Sequence, residues 1–484
     1  MDFRPNIVVF MTDQQNFKSL YGSHRAITPN LDKFRQNAIF FHQSYCTSPH
    51  CCPSRASFFS GLYPSQHGVW NNVEVDNALI RGLFDDVILF PERLQQSGYR
   101  TLFSGKWHVS AYESPTDRGF DENLHEHISN YGRFAPENQP RHKDWENVFQ
   151  QPLPKCMIPE FGCLCREGYP KYQQFSVKED AYGDQITVNR ACEAIQSHNW
   201  KKPLFLYVGT TGPHDPYTPP QEYLDMYQNW DIHLPNNFED SLSDKPNLYR
   251  RTQNRYALSR EEHIESLRHY LAFVSFEDAL FGQLLRTLEE SGQMDNTYLI
   301  YLSDHGDYAS AHGLWSKGLP CFQEAYHIPA LVGGAGIHGE TPVDAMVSIT
   351  DFAPTILELA GISAPDVAGR SLVPFLRHQI PCDWRTELFT QSNGNELYGI
   401  QRAVWNKKWK YVFNGFDYDE LYDLENDPGE LHNLIYDSSL AAIVREMCGK
   451  LWQFAYQTGD ACTCPYIMVS LAPYGPGIIW ENVL

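Results

Sequence analysis

Three runs of apolar residues carry no polar alternation: Ile7-Val8-Val9-Phe10-Met11, Leu204-Phe205-Leu206-Tyr207-Val208 and Tyr298-Leu299-Ile300-Tyr301-Leu302. Runs of this length and texture predict strands buried on both faces of a parallel sheet. Tyr99-Arg100-Thr101-Leu102-Phe103 reads as a fourth strand. Helical spacing appears between them. Ile264, Leu267, Leu271, Val274, Phe281, Leu285 and Leu288 repeat on one face of a segment from His263 to Glu290, which predicts a helix packed on the sheet. Thr28-Pro29-Asn30-Leu31 supplies an N-cap and a proline for the first turn of another. Asp351 to Leu359, with Pro354 early and Gly361 after it, predicts a third. Between about Pro115 and Lys178 the chain is aromatic, proline-rich and irregular, and reads as a long excursion over the strand ends.

Past Gly369 the texture changes. Glu387–Thr390, Gln401–Trp405 and Lys410–Phe413 read as hairpin strands of a small antiparallel sheet accompanied by a helix. The expected fold class is therefore α/β, a large mixed, mostly parallel sheet flanked by helices, with a smaller C-terminal antiparallel α+β subdomain. The expected boundary divides residues 1–368 from 369–484.

Composition narrows the function. A length of 484 residues suits one large domain and a smaller one. A net charge of −21 argues against nucleic acid and against an anionic membrane surface as partner. No segment reaches the ~20 consecutive apolar residues of a membrane span. Met1-Asp2-Phe3-Arg4-Pro5 leads straight into the first strand, so a cytoplasmic protein is expected, or a periplasmic or secreted one whose leader has been removed. The 12 cysteines are scattered, which makes reduced thiols the default. Cys163-x-Cys165 and Cys462-x-Cys464 are poorly spaced for structural zinc.

The chemistry-bearing residues fall at the strand ends, where open α/β sheets place their sites. The first run ends in Asp13-Gln14, and the last runs into Asp304-His305. Two carboxylates, an imidazole and an amide oxygen suit one hard divalent cation, Ca2+ before Mg2+ or Mn2+, and suit zinc less. Gly105-Lys106-Trp107-His108, Gly212-Pro213-His214-Asp215-Pro216 and His312-Gly313-Leu314-Trp315-Ser316-Lys317 add basic groups, each after a predicted strand or close to one. Cys51-Cys52-Pro53-Ser54-Arg55 runs into Ala56-Ser57-Phe58-Phe59, with a helix expected to start at Ser54. Each piece has a bland alternative: Asp13 as a turn cap, His214 and His312 as satisfied loop histidines, Lys106 with Trp107 as a surface cation–π pair.

Taken together and in this order, Cys51-x-Pro53-Ser54-Arg55 and the four other blocks resemble the type I sulfatases of the alkaline-phosphatase-like superfamily. Asp419-Glu420-Leu421-Tyr422-Asp423-Leu424 through Asp427-Pro428-Gly429-Glu430 resembles the run near sulfatase C-termini. The resemblance implies hydrolysis of a sulfate monoester, and conversion of Cys51 to formylglycine by a formylglycine-generating maturase. It implies that Asp13, Gln14, Asp304 and His305 hold one metal against residue 51, and that Arg55, Lys106 and Lys317 face the sulfate oxygens. His214 or Lys317 would protonate the departing alcohol. Asp304 would activate the hydrated aldehyde for attack, and His108 would remove its remaining proton to release sulfate. Cys52 occupies the wildcard position and reads as a packed thiol.

Trp70-Asn71-Asn72 lies close to Cys51 in sequence, and amide plus aromatic side chains suit a sugar, with His312 as a further substrate contact. A sulfated sugar is the expected substrate. The alternatives are a phosphonate monoester or phosphodiester hydrolase of the same superfamily, and an inactive carbohydrate-binding relative. Lys106 and His108 favour the sulfatase over the first. Retention of every nucleophile, ligand and cation speaks against the second.

Overall fold

The computed structural model describes residues 4–22, 25–75, 77–127, 174–256, 258–395, 397–471 and 474–480. The described residues form twelve strands: β1 (Asn6–Thr12), β2 (Ala38–Tyr45), β3 (Arg100–Lys106), β4 (Glu122–His127), β5 (Leu204–Gly209), β6 (Thr297–Ser303), β7 (Ala330–Gly334), β8 (Thr341–Ser348), β9 (Leu388–Gly394), β10 (Tyr398–Trp405), β11 (Trp409–Asn414) and β12 (Glu420–Asp423). The first eight make one sheet in the order β4-β3-β5-β1-β6-β7-β2-β8. Only β7 runs against its neighbours β6 and β2, so the sheet is mixed but mostly parallel.

The absence of alternation in β1 has a direct cause. Ile7, Val9 and Met11 face one apolar core with Phe58, Phe59 and Phe352, and Val8 and Phe10 face another with Leu271, Val274 and Phe281. Both faces are covered, so every position of the strand is apolar. The long helix Arg260–Glu290 supplies much of the second core and begins in a capping box between Ser259 and Glu262. The helix Pro29–Arg35 forms where expected, but Thr28 does not cap it. Asp278 of the long helix reaches across and accepts from Asn30 N at 3.1 Å and Leu31 N at 2.7 Å.

Other expectations shift. The helix predicted from Asp351 begins at Phe352, after a 3₁₀ turn Ile349–Asp351. The Asp351 carboxylate is instead taken by Arg385 and by Ser348 N and Arg370 N. The predicted excursion contains β4, which pairs in parallel with β3 as the edge of the main sheet. Residues 128–173 of that excursion, including Cys163 and Cys165, lie outside the described residues. Past residue 387, β9 to β12 form an antiparallel sheet in the order β12-β11-β10-β9. The helix Ala441–Gln457 packs Met447, Leu451 and Trp452 against its Tyr411, Phe413 and Leu421.

Candidate active site

Strand register brings the site together. Thr12 of β1 pairs with Ser303 of β6, so the next residues, Asp13 and Asp304, emerge side by side. On the other flank Met11 pairs with Gly209 of β5, and Gly209 with Gly105 of β3. Lys106 and His108 therefore follow one strand end, and the loop bearing His214 follows the next. Gly105 is required there: at φ +106 it approaches β5 so closely that a Cβ would lie 2.0 Å from Gly209 O.

Cys51 is presented by a helix. The helix Cys51–Ser60 starts at Cys51 itself, three residues earlier than the sequence suggested, with His50 extended before it and Gly61 left-handed after it. The positive end of the helix dipole therefore lies at residue 51 and favours negative charge there. Cys51 Sγ lies 3.2 Å from His305 Nε2 and 3.7 Å from Asp13 Oδ1.

Arg55, one helical turn on, organises the carboxylates. Its Nε donates to Asp304 Oδ2 at 2.8 Å and its Nη2 to Asp13 Oδ2 at 3.0 Å. Nη1 donates to Lys106 O and Tyr207 Oη, both at 2.9 Å. Lys106 Nζ adds a 2.6 Å bond to Asp13 Oδ2. With the outer oxygens held, Asp13 Oδ1 and Asp304 Oδ1 face His305 Nε2, at 3.8 and 3.7 Å. His305 Nδ1 donates to Gly306 O at 2.9 Å, which leaves Nε2 as a lone-pair donor. One ligand atom each from Asp13, Cys51, Asp304 and His305 lies within 4.8 Å of the others, and all four residues are buried. Such a spacing suits a cation bound at about 2.3–2.6 Å.

Three expectations need correction. Arg55 does not face a substrate: it is fully buried, with Nε and both Nη nitrogens committed to the carboxylates, Lys106 O and Tyr207, so it is a clamp beneath the site. The Gln14 side chain is committed to other partners. Its amide nitrogen donates to Asp215 and Asp307, and its side-chain oxygen accepts from Lys317. The third correction covers the substrate residues. His312 is buried, bonded through Nδ1 to Asp240 at 2.7 Å and through Nε2 to Asn237 at 3.0 Å, and stacked on Phe322. Trp70 lies under the Arg402 guanidinium, 4.8 Å from it. Asn71 Nδ2 donates to Gly394 O, and Asn72 accepts from Cys52 N while its own N–H donates to Asn395 Oδ1. Trp70, the Asn71 side chain and the Asn72 backbone thus hold this loop to Arg402, Gly394 and Asn395.

The remaining basic groups form two pairs. Lys317 Nζ stands 2.6 Å from His214 Nε2, whose Nδ1 donates to Asp215 O at 2.6 Å. His108 Nε2 stands 2.6 Å from Glu74 Oε2. Gln14 and His108 both hold left-handed backbone conformations, φ 68° and 55°, a strain typical of functional loops. Sequence reasoning missed Glu74, Asp215, Asp307 and Tyr207. Only Tyr207 left a signal, a hydroxyl inside a buried strand that needs a partner.

Charge separates the two adjacent thiols. Burial raises the pKa of Cys51, but Lys106, Lys317 and His305 outweigh it and hold the thiol well below its ordinary value. Cys52 lacks that company, and burial pushes it up to about 11. Burial and Cys51 also act to raise Asp13, yet Lys106, His214 and Arg55 keep it well below the carboxylate range. Asp304 is pushed up by burial and by Asp13, against His305 and Arg55.

Residues 5–362 match the sulfatase family model, and residues 310–457 match the model for the N-sulphoglucosamine sulphohydrolase C-terminal region. This chain belongs to the sulfatase family. As a sulfatase it is a sulfuric ester hydrolase, and its family implies a metal ion and a formylglycine. Among its relatives is a choline-sulfatase of Rhizobium meliloti, 30% identical over 89% of this chain and 82% of the relative. Another is an N-acetylglucosamine-6-O-sulfatase of Bacteroides thetaiotaomicron, 25% identical over 94% and 87%. The sulfatase also superposes on a phosphonate monoester hydrolase from Silicibacter pomeroyi with a TM-score of 0.76, at 21% identity over 95% of this chain and 96% of that one. That likeness establishes the shared alkaline-phosphatase-like fold. No described helix of this sulfatase is long and apolar enough to cross a membrane.

Proposed function

We propose that this sulfatase hydrolyses the sulfate ester of a sulfated sugar, with residue 51 as nucleophile after a maturase has converted Cys51 to formylglycine. The observation that carries the reading is the cluster of Asp13 Oδ1, Asp304 Oδ1, His305 Nε2 and residue 51 above the Arg55 clamp. Its oxygen-rich donor set suits Ca2+, which would be held by Asp13, Asp304, His305 and residue 51 and would supply positive charge to the sulfate oxygens. The oxidised residue, as a hydrated aldehyde, supplies an oxygen nucleophile in place of sulfur.

The chain's own groups do the rest. Lys106, buried beside Asp13, adds positive charge next to residue 51. Lys317 and His214 hold a proton between Nζ and Nε2 and deliver it to the departing alcohol. Glu74 takes His108 through Nε2, so Nδ1 serves as the base. The sugar is supported by the match of the C-terminal region to the N-sulphoglucosamine sulphohydrolase model and by the acetylglucosamine-sulfate relative. In this reading residues 1–368 carry the chemistry and 369–484 brace the loop beside Cys51.

A panel of sulfated monosaccharides, choline sulfate, an aryl sulfate and a phosphonate monoester tests the proposal with matured, calcium-loaded enzyme. Turnover of a sugar sulfate well above the others is expected. Preferential turnover of the phosphonate ester would overturn the sulfate assignment, and preference for choline sulfate would overturn the sugar.

A further inference from the structure

Beside the hard-ligand cluster lies a second group of different chemical character. Cys52, Glu74 and His108 each offer one ligand atom within 4.8 Å of the other two. Cys52 Sγ and Glu74 Oε2 are 3.8 Å apart, and Glu74 Oε2 and His108 Nε2 2.6 Å. Cys52 and His108 are buried, and the Glu74 side chain is 23% exposed, so one side opens to solvent. The Val73 N–H donates to Cys52 Sγ at 3.3 Å, a contact that stabilises sulfur as an anionic donor. Asn72 fixes the Cys52 backbone through its N–H.

We propose that Cys52 Sγ, Glu74 Oε2 and His108 Nε2 form a second cation site, selective for a thiophilic divalent ion such as zinc. A thiolate, an imidazole and a carboxylate with one position open is a donor set that zinc accepts in four-coordination and that calcium disfavours. The first cluster holds two carboxylates and discriminates the other way. Binding displaces the thiol proton of Cys52 and the proton that His108 Nε2 shares with Glu74, both to solvent, and the ion separates the 2.6 Å pair to ligand distances. Occupancy takes His108 out of turnover, a consequence that rests on the proposed function above. The site itself does not.

The test uses the full chain, unmatured and loaded with calcium to fill the first cluster, titrated with Co2+ as a spectroscopic stand-in for zinc. A sulfur-to-cobalt charge-transfer absorption, saturating at one equivalent and displaced by Zn2+, is expected. It should persist in Cys51→Ser and vanish in Cys52→Ser. Glu74→Gln should weaken binding by more than the roughly 10–100-fold that loss of an outer-shell partner costs. No thiolate absorption, or absorption that follows Cys51, overturns the site. If Cys52→Ser does not fold, unchanged affinity in Glu74→Gln overturns it equally. With matured enzyme, Zn2+ should inhibit and Cys52→Ala should relieve the inhibition by at least tenfold. Zinc bound without inhibition would uphold the site and overturn the role given to His108.

Discussion

Glu74 Oε2 lies 2.6 Å from His108 Nε2, and this bond decides which ring nitrogen of His108 remains to act. Nδ1 is buried and has no hydrogen-bond partner among the described residues. Glu74→Gln removes the charge and keeps the shape. It should lower kcat roughly 10–100-fold with little change in KM, because general-base assistance contributes on the order of 10²–10⁴. Steady-state kinetics on one sugar sulfate checks this. In His108→Ala, mass spectrometry should find sulfate retained on residue 51 whichever alcohol has left.

Removal of the Arg55 clamp should damage both fold and metal site. Asp13 and Asp304 would be left buried without their shared guanidinium, a loss of about 3–5 kcal/mol for a broken buried pair. Arg55→Lys should rescue little, since one ammonium cannot reproduce the fork that spans both carboxylates. Thermal melts with and without calcium would show the drop, and a melting temperature like wild type in either variant would contradict it.

Proton delivery separates two kinds of substrate. His214→Ala and Lys317→Ala should depress turnover of sugar sulfates far more than that of an activated aryl sulfate, whose phenolate departs without help. Equal losses on both would make these residues anion binders only.

Acid stability should depend on Glu324. Burial pushes its carboxyl up, but Lys18 and His312 hold it down to about 2, from an ordinary 4.5. A depressed carboxyl stabilises the fold above its unfolded pKa, and that stabilisation is lost as pH falls from about 4.5 toward 2. The full shift corresponds to on the order of 3 kcal/mol. Lys18 is 53% exposed, so screening brings the measurable part to ~1–2 kcal/mol. Lys18→Met should therefore cost ~1–2 kcal/mol near pH 7, converge on wild type toward pH 2 and raise the midpoint of acid unfolding, as followed by circular dichroism.

His312→Gln tests a corrected assignment. With both ring nitrogens bonded to Asp240 and Asn237, the histidine holds a loop. The variant should lose ~1–3 kcal/mol of stability through its orphaned partners, with KM unchanged. A large rise in KM would restore a substrate role.

Most of the fold was legible because burial on both faces writes itself as unbroken apolar runs, as in β1, β5 and β6. Asp13, Asp304 and His305 were legible for the same reason: a polar residue directly after such a run lies at the strand's mouth. Glu74 was not, since nothing in Asn72-Val73-Glu74 marks a loop that returns to His108. The roles of Arg55, Asn71, Asn72 and His312 were misread because residue type cannot show which donors are already spent. β4 was missed because Glu122–His127 is a polar edge strand.

Cys51 has no exposed surface, and the loop next to it in sequence is clipped by Gly394 and Asn395 of the C-terminal sheet. On a ribosome those clips are made hundreds of residues after Cys51 has emerged. On the proposed maturation, covalent alteration of Cys51 is favoured before the chain is complete, and slower elongation between residues 51 and 395 should raise the matured fraction.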